Sequence, residues 1–369
     1  MKTKKIFSVF LAFAIVLISA VFLSGCEFKN SNVSREKIIK KPSQDAGLFK
    51  KGKLQKPWDD LIEEVGYKSY NAGGAIERKA ENKSYFKSCK GDLVLPDDVT
   101  DIRYGAFYNC KDLTSVTIPD SVTEIDGWAF AGCTKLKSVV IPDSVIIISE
   151  HAFYKCSSLK ELDIPDSVTT IGDSAFNNCA SIKSVKMGNS VKSFGSSAFY
   201  NCKALKSIEV PDTTTIISHR AFMNCKSLSK IKIGKGVLRI EYEAFNNTAY
   251  FNKKSNWKKK VLYINDYLIK VKHDISKSYS IKKGTKILAD QAFLNCFTIT
   301  SVNIPSSVFH LGECAFKNCV SLKSVTAPES VSTLGFDVFL GCQALTVYGK
   351  SGSKTEIYAK DNNIKFVAE

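Results

Sequence analysis

Cysteine is the residue type whose spacing in this 369-residue chain could most readily do chemistry. Nine of the 12 cysteines occupy one repeating position and lie 23 residues apart within two runs. They are Cys110, Cys133, Cys156, Cys179, Cys202 and Cys225, then Cys296, Cys319 and Cys342. Metal sites need clustered ligands, such as C-x-x-C or Cys with His, and this column offers none.

Disulfides are the other chemical option for the cysteine column. They would suit an exported chain, because stacked strands bring successive Cα atoms to ~5 Å, which is within bridging range. However, side chains in register run parallel rather than toward each other, and nine is an odd number. We therefore predict buried free thiols, which behave as small hydrophobic groups.

No catalytic arrangement accompanies the cysteines. The four histidines lie at unmatched repeat positions: His151, His219, His273 and His310. The sequence contains no glycine-rich phosphate loop and no nucleophile elbow. The recurring aspartates follow proline, where turn chemistry already explains them. We therefore predict no enzymatic activity, no cofactor and no metal.

Positive charge is concentrated outside the repeats. The formal charge is +16, of which residues 1–25 carry +3, residues 27–56 carry +6 and residues 253–286 carry +9, leaving −2 elsewhere. The last of these segments mixes lysines with aromatic residues and contains a candidate patch for an anionic polymer. The patch residues are Lys253, Lys254, Trp257, Lys258, Lys259 and Lys260. The alternative is a solvated hairpin whose edge lysines prevent strand pairing.

The first 25 residues predict an export signal. A lysine-rich start precedes an apolar run that ends at Leu23-Ser24-Gly25-Cys26 and resembles a bacterial lipobox. The resemblance implies a lipoprotein in which residues 1–25 are removed and Cys26 is the site of lipid attachment, which would anchor the chain to the membrane. A transmembrane helix is the alternative, since the run is barely long enough to span a bilayer. Export also argues against a nucleic-acid partner.

A 23-residue repeat organises the rest of the chain. An Ala-Phe pair, replaced by Val-Phe at Phe339, recurs at this interval in two runs separated by 48 residues. The phenylalanines are Phe107, Phe130, Phe153, Phe176, Phe199, Phe222 and Phe245, then Phe293, Phe316 and Phe339. This period predicts a β-rich repeat solenoid whose coils bury their apolar faces against each other, with stacked phenylalanine rings.

The repeat also sets the predicted boundaries. Residues 26–56 are polar and lysine-rich, which predicts a flexible tether. Residues 57–85 and 346–369 predict end caps with small helical segments, because an end coil would otherwise expose its stacking face. The solenoid is predicted over 86–245 and 279–345. Between them, residues 246–278 predict an inserted β-hairpin around Asn265-Asp266.

Each coil has a predictable internal order. Leu159, Leu162 and Ile164 follow an L-x-x-L-x-I pattern that suits a leucine-rich-repeat strand. The residue before the column cysteine is mostly Asn or Gly, the types that tolerate positive φ most cheaply. We therefore predict a left-handed backbone there, with Lys155 as the exception to the residue preference.

The full pattern, C-x-x-L-x-x-V-x-I-P-x-S-V-x-x-I-G-x-x-A-F, resembles the BspA-like leucine-rich repeat over about residues 86–345. The resemblance implies a bacterial surface solenoid, and some members of that family are similar to adhesins for host matrix proteins or other cells. We expect a membrane-anchored surface protein for protein–protein recognition or adhesion. Binding of anionic polymers or glycans of the cell envelope through the insert is the alternative. The repeat is a scaffold, so variable positions set the partner.

One variable column is the candidate ligand face. It is the outward residue between two inward strand positions, and it varies in size and charge while its neighbours stay apolar. Its residues are Thr117, Val140, Asp163, Lys186, Glu209, Lys232, Asn303 and Thr326. Individual exposed charges are worth little, so affinity for a protein partner would have to come from many contacts.

Overall fold

The computed structural model describes residues 90–95, 97 and 99–369. The predicted signal peptide (1–25), tether (26–56) and N-terminal cap (57–85) lie outside the described residues, as does Cys26. The described part is a β-solenoid in which each regular coil contributes one strand to each of two faces. This confirms the predicted repeat architecture.

The long-strand face collects the longer strands. They are β1 (Lys90–Val94), β2 (Asp112–Thr117), β4 (Ser138–Val140), β6 (Glu161–Asp163), β8 (Ser184–Lys186), β10 (Ser207–Val210), β12 (Lys230–Ile233), β17 (Ser278–Ser280), β19 (Ser301–Asn303), β21 (Ser324–Ala327), β23 (Thr346–Gly349) and β24 (Lys365–Ala368). Their ladders are parallel, and a typical register step is one repeat, as in Ser115 with Ser138. Hydrogen bonding groups them as β1-β2-β4, β6-β8, β10-β12 and β17-β19-β21-β23-β24.

The short-strand face is built from two-residue strands. They are β3 (Glu124–Ile125), β5 (Ile147–Ile148), β7 (Thr170–Ile171), β9 (Ser193–Phe194), β11 (Ile216–Ile217), β13 (Arg239–Ile240), β18 (Ile287–Leu288), β20 (His310–Leu311) and β22 (Thr333–Leu334). The first six form one parallel sheet, and the last three belong to a second. The second residue of each short strand is Ile, Phe or Leu and points inward. The two faces therefore enclose the apolar core of the solenoid between them.

Phenylalanine rings fill the centre of the coils. From Phe107 to Phe245 successive ring centroids lie 5.0–5.6 Å apart and nearly parallel. The stack resumes from Phe293 through Phe316 to Phe339, at 4.6 and 5.4 Å. All of these rings are buried. The predicted stacking is therefore confirmed, and each coil provides the wall against which the next one packs.

All nine column cysteines are buried free thiols, as predicted. Their Sγ atoms also have a hydrogen-bonding role that the pattern did not indicate. Cys179 Sγ donates to the carbonyl oxygen of Phe153 in the preceding coil at 3.1 Å, and six further column cysteines make the same contact. The column therefore combines apolar packing with a weak bond between coils.

Two positions in every coil have a left-handed backbone. The predicted one precedes the cysteine, where φ lies near +60° at Asn178 and also at Lys155, so the conformation holds even where the residue preference fails. The second lies two residues before phenylalanine and was not predicted. Its non-glycine members are Trp128, His151, Ser174, Ser197, Arg220, Glu243, Gln291, Cys314 and Asp337. Most of their backbone N–H groups donate to the following coil, which pins the turn whatever the side chain.

The lysine-rich segment between the two runs is part of the core. It contains the short helix α1 (Ala249–Asn252), a 3-10 turn at Lys254–Asn256, and strands β14 (Trp257–Lys258), β15 (Val261–Ile264) and β16 (Tyr267–Val271). These three strands pair antiparallel, and β16 then pairs in parallel with β18. Leu262 and Leu268 are fully buried. The segment is therefore not a solvated projection, because its apolar side chains close the gap between the two runs.

The last segment contains the helix α2 (Lys354–Asp361) between β23 and β24. Ser353 accepts a hydrogen bond from the backbone N–H of Glu356, as its position at the helix start predicts. The ring of Tyr358 meets the ring of Phe339 edge-on at 6.1 Å. The helix thus contacts the last phenylalanine of the stack. Within the described residues, no helix has the length and apolar character needed to cross a membrane.

Candidate ligand-binding face

The predicted ligand column lies on the long-strand face. Thr117 aligns with Val140, Asp163 with Lys186, Glu209 with Lys232, and Asn303 with Thr326, each pair one coil apart. Seven of the eight side chains are exposed, whereas Thr326 is only half-buried. The core residues between them fix the backbone, so side chains of different chemistry are presented at a constant spacing.

The charges of this column are paired within the molecule. Lys186 Nζ lies 2.9 Å from Asp163 Oδ2, and Lys232 forms the same kind of ion pair with Glu209. The hydrogen bond from Asp163 raises the pKa of Lys186, and that from Glu209 raises the pKa of Lys232. Because all four side chains are exposed, each pair contributes little to stability and can open to meet a partner.

The predicted anionic-polymer patch is only partly available. Lys253, Lys254, Lys258, Lys259 and Lys260 are exposed, but Trp257 is half-buried. The Trp257 indole N–H donates to the carbonyl oxygen of Phe251 at 2.6 Å, and the ammonium of Lys272 lies 5.0 Å from the Trp257 ring centroid. Lys260 is paired with Asp274 at 2.8 Å. The other four lysines make no ion pair with any residue that the structure describes, while the tryptophan has a structural role.

The junction of the two runs holds a buried ionic cluster. Arg239 Nη2 lies 3.1 Å from Asp290 Oδ2 and 2.7 Å from Glu313 Oε1. Burial raises the pKa of Asp290 to about 7, although the nearby Arg239 guanidinium opposes this. Burial lowers the pKa of His310 to about 4, and Arg239 acts in the same direction. The cluster joins β13 to the second run, and nothing in its geometry resembles an active site.

An aromatic cluster on the turn edge was not predicted. The rings of Trp128 and His151 stack at 4.3 Å, and Tyr154 lies tilted against both at 5.6 and 5.5 Å. Trp128 and His151 are consecutive members of the second left-handed column, so their 23-residue separation was the available signal. Burial lowers the pKa of His151. Among the residues described, no group of three or more His, Cys, Asp or Glu could hold a metal ion.

The stacked coils, the inward apolar columns and the exposed variable column define a leucine-rich-repeat solenoid that displays a surface. A family model for the BspA type leucine rich repeat region, in six copies, matches residues 80–206, 195–287 and 264–360. The chain belongs to this family. Leucine-rich-repeat proteins generally bind proteins, so the family fits a protein-interaction role at a general level.

Three solved structures with detectable similarity are described as leucine-rich proteins. A leucine-rich repeat protein of Bacteroides ovatus shows 22% identity over 82% of this chain and 97% of its own, with a TM-score of 0.39. A leucine rich cell surface protein of Faecalibacterium prausnitzii shows 24% identity over 80% and 88%, with a TM-score of 0.40. The T. pallidum leucine rich repeat protein shows 27% identity over 56% of this chain and 77% of its own, with a TM-score of 0.38. The comparison with curated proteins found no match.

Proposed function

We propose that this chain is a bacterial surface protein that is anchored through a lipid on Cys26 and recognises a protein partner. The partner would lie on host matrix or on another cell, and the contact would be made by the column from Thr117 to Thr326. The observation that supports this most directly is the contrast within each strand. Inward positions stay apolar and buried, while the exposed position beside them changes between hydroxyl, aliphatic, acidic and basic groups.

The spacing of the column favours an extended protein surface as the partner. Exposed single charges contribute little, so specific binding requires many aligned contacts over a standard interface area. The ion pairs Asp163–Lys186 and Glu209–Lys232 hold four charges in a fixed alternating order along the solenoid. A partner whose charges alternate in the complementary order would replace these weak internal ion pairs by intermolecular ones. Such complementarity contributes specificity and association rate more than affinity.

A charge swap tests this proposal without changing net charge. In Asp163→Lys with Lys186→Asp, the internal ion pair can re-form, but the order presented to a partner is inverted. The matched control swaps Asp112 and Lys135, an exposed pair at 2.6 Å that lies outside the column. Binding of the mature chain is first sought by pull-down against host matrix proteins and purified envelope polymers. The proposal expects the column swap to weaken binding and the control swap to leave it unchanged.

The alternative function is binding of an anionic envelope polymer or glycan through the lysine-rich segment. It is favoured by Lys253, Lys254, Lys258 and Lys259, which are exposed and make no ion pair among the described residues. Lys259 and Lys260 also both have positive φ in the turn between β14 and β15, a strained conformation for lysine. The test is replacement of the four exposed lysines by glutamine. Deleting the segment would be uninformative, since its strands form part of the core.

Loss of binding in the glutamine variant, together with normal binding by the column swap, would replace the first proposal by the second. Loss in the column swap alone would support the first. A salt titration separates them further, because attraction by solvated lysines is screened over about 8 Å at physiological ionic strength.

A further inference from the structure

Four lysines form an unbroken row on the long-strand face. Lys137, Lys160, Lys183 and Lys206 occupy the same position in successive coils, three residues before the ligand column. Their backbones are linked directly. The N–H of Lys160 donates to the carbonyl of Lys137 at 3.2 Å, that of Lys183 to Lys160 at 2.8 Å, and that of Lys206 to Lys183 at 3.2 Å. All four side chains are exposed, so positive charges line up at a spacing of ~4.8 Å between strands.

The acidic residues around this lysine row do not neutralise it. The long-strand face carries four acids from β2 to β12. Asp112 pairs with Lys135, Asp163 with Lys186 and Glu209 with Lys232, which are lysines outside the row. Glu161 is the remaining acid, beside Lys160. Within the described part of the chain, none of the four row lysines takes part in an ion pair, although Lys137 is close enough to Asp92 to lower the pKa of that carboxyl.

The fold has no evident need for the lysine row. Like charges directly opposite each other on neighbouring strands are destabilising, and an exposed position can be filled by any polar residue. The paired column beside the row shows that the same face can place opposite charges one coil apart. A row of four uncompensated charges therefore opposes folding, and such positions are typical of binding surfaces.

We propose that the row of Lys137, Lys160, Lys183 and Lys206 binds an extended acidic polysaccharide that runs along the solenoid. The ammonium groups meet the carboxylates of the sugar chain, and the adjacent column supplies hydroxyl groups from three exposed serines that directly follow row lysines, namely Ser138, Ser184 and Ser207. Sugars present both chemistries, acid groups and hydroxyls, at short intervals along one chain.

The surroundings of the row favour a polysaccharide over a nucleic acid. Single-stranded nucleic acids bind on aromatic side chains that stack with the bases. The strands of this face from β2 to β12 contain no aromatic residue. They also contain no arginine, whose planar guanidinium is preferred for bidentate recognition of phosphate. Lysine carries its charge on a flexible side chain, which suits a polymer whose acid groups do not have a fixed spacing.

This inference is independent of the proposed function. Its column and its ligand class differ from those of the proposed protein recognition, and its residues lie outside the lysine-rich segment to which the alternative function is assigned. A protein partner would be tested by the charge swap at Asp163 and Lys186, which leaves the lysine row intact. Failure of that test would leave polysaccharide binding unaffected, and the reverse also holds.

The test compares two sets of substitutions that remove the same charge. The row variant combines Lys137→Gln, Lys160→Gln, Lys183→Gln and Lys206→Gln in the full chain. The matched control combines Lys111→Gln, Lys203→Gln, Lys226→Gln and Lys354→Gln, four exposed lysines that lie outside both the row and the lysine-rich segment. Affinity for polygalacturonate is measured over a range of salt concentrations, with neutral dextran and single-stranded poly(dT) as comparison ligands. Urea unfolding without ligand at low salt verifies that each variant is folded.

We expect polygalacturonate to bind the parent chain and the control with similar affinity, and the row variant to bind at least about tenfold more weakly. The dependence of log affinity on log salt should become shallower by about 0.7 for each row lysine that a flexible polyanion contacts. The affinity of the double variant Lys160→Gln with Lys183→Gln for polygalacturonate should lie between that of the parent chain and that of the row variant. Without ligand, the row variant should be at least as stable as the parent chain.

Three results would overturn the proposal. Equal binding by the row variant and the parent chain would show that the row is not the site. An equal loss in the control would assign binding to the general positive charge of the chain rather than to the row. Binding of poly(dT) as tight as that of polygalacturonate would exclude a preference for polysaccharide.

Discussion

The thiol of Cys179 donates a hydrogen bond to the carbonyl oxygen of Phe153, one coil earlier, at 3.1 Å. The same carbonyl accepts the backbone N–H of Cys156 at 3.1 Å. One acceptor therefore closes the turn of its own coil and binds the thiol of the next. Oxidation of this sulfur would remove the donor and force a larger group into a fully buried site.

This arrangement predicts slow reaction of the column cysteines. In the native chain, the nine thiols should label with an alkylating reagent far more slowly than in denaturant, where all nine should react without prior reduction. Burial raises the pKa of Cys156 and Cys202, which suppresses the reactive thiolate further. Quantitative labelling followed by intact-mass measurement checks this. Several masses shifted by disulfide formation within the column would contradict it.

The stacked rings predict a large loss of stability on truncation. Phe176→Ala should lower the free energy of unfolding by about 3–5 kcal/mol, since it empties a fully buried aromatic site between two neighbouring rings. Phe336→Ala is the matched control, because that ring is 56% exposed, and its effect should stay within about 0.5 kcal/mol. Urea unfolding measures both. Similar values for the two variants would mean that the ring stack does not support the solenoid.

The left-handed turn predicts a stabilising substitution at Lys155. Its φ of +60° costs a residue with a Cβ about 1 kcal/mol, whereas glycine adopts it freely. Lys155→Gly should therefore stabilise the chain by about 0.5 kcal/mol, after loss of a contact of about 0.5 kcal/mol between its ammonium and the Tyr154 ring. Lys160→Gly should instead destabilise by about 0.5–1 kcal/mol, because that residue is not among those with positive φ and gains nothing from the freedom of glycine. Thermal unfolding of both variants should give shifts of opposite sign.

The ionic cluster at the junction predicts two opposite dependences on pH. The folded state raises the pKa of Asp290 to about 7, so the stability this group contributes is present at acidic pH and is lost as pH rises through about 7. The folded state lowers the pKa of His310 to about 4, so its contribution is present above about pH 6.5 and is lost as pH falls toward 4. The two groups therefore partly cancel in the parent chain.

Single substitutions separate the two titrations. Between pH 4 and 7, the stability of the parent relative to Asp290→Asn should decrease as pH rises, and that relative to His310→Asn should increase. Arg239 and Glu313, which face Asp290, are retained in both variants. Urea unfolding at several pH values gives the two differences. Parallel curves for parent and variants would show that neither group titrates differently on folding.

Lipid attachment at Cys26 predicts a change in membrane partitioning. Expressed in bacteria, the parent chain should incorporate labelled fatty acid and enter the detergent phase, because several acyl chains anchor almost permanently. Cys26→Ala should do neither, while Cys89→Ala should behave like the parent. Incorporation of label by Cys26→Ala would exclude the lipobox interpretation.

Regular features of the coil were predictable because equivalent positions in successive repeats have the same surroundings and therefore the same residue preferences. The spacing of Phe107 and its equivalents indicated the solenoid, and the Asn-or-Gly preference indicated one left-handed turn. The second left-handed column was not predictable, since members such as Trp128 and Arg220 have no intrinsic preference for positive φ. There, hydrogen bonds to the next coil impose the backbone, and tertiary contacts override residue type.

The lysine-rich segment shows a different limit of sequence reasoning. Its composition indicated a solvated hairpin, because charges dominate any average over residues 253–286. The nearly continuous apolar runs Val261–Ile264 and Tyr267–Val271 carry the buried surface, and an average over the whole segment conceals them. On the solenoid, the net charge had the opposite effect, because it suggested a surface without a concentration of positive charge. A net charge near zero concealed the row from Lys137 to Lys206, although its 23-residue spacing is visible in the sequence.

The ladder of contacts between coils has a consequence for the gene. Each regular coil satisfies its backbone mainly through the coils immediately before and after it. Where a side chain is the acceptor, it also belongs to a neighbouring coil, as when Asp173 Oδ1 accepts the N–H of Ser196. In-frame duplication or loss of one whole repeat within residues 110–245 therefore leaves every remaining ladder in register. We expect natural length variants to differ by multiples of 23 codons there, and insertions of other lengths to be confined to turns.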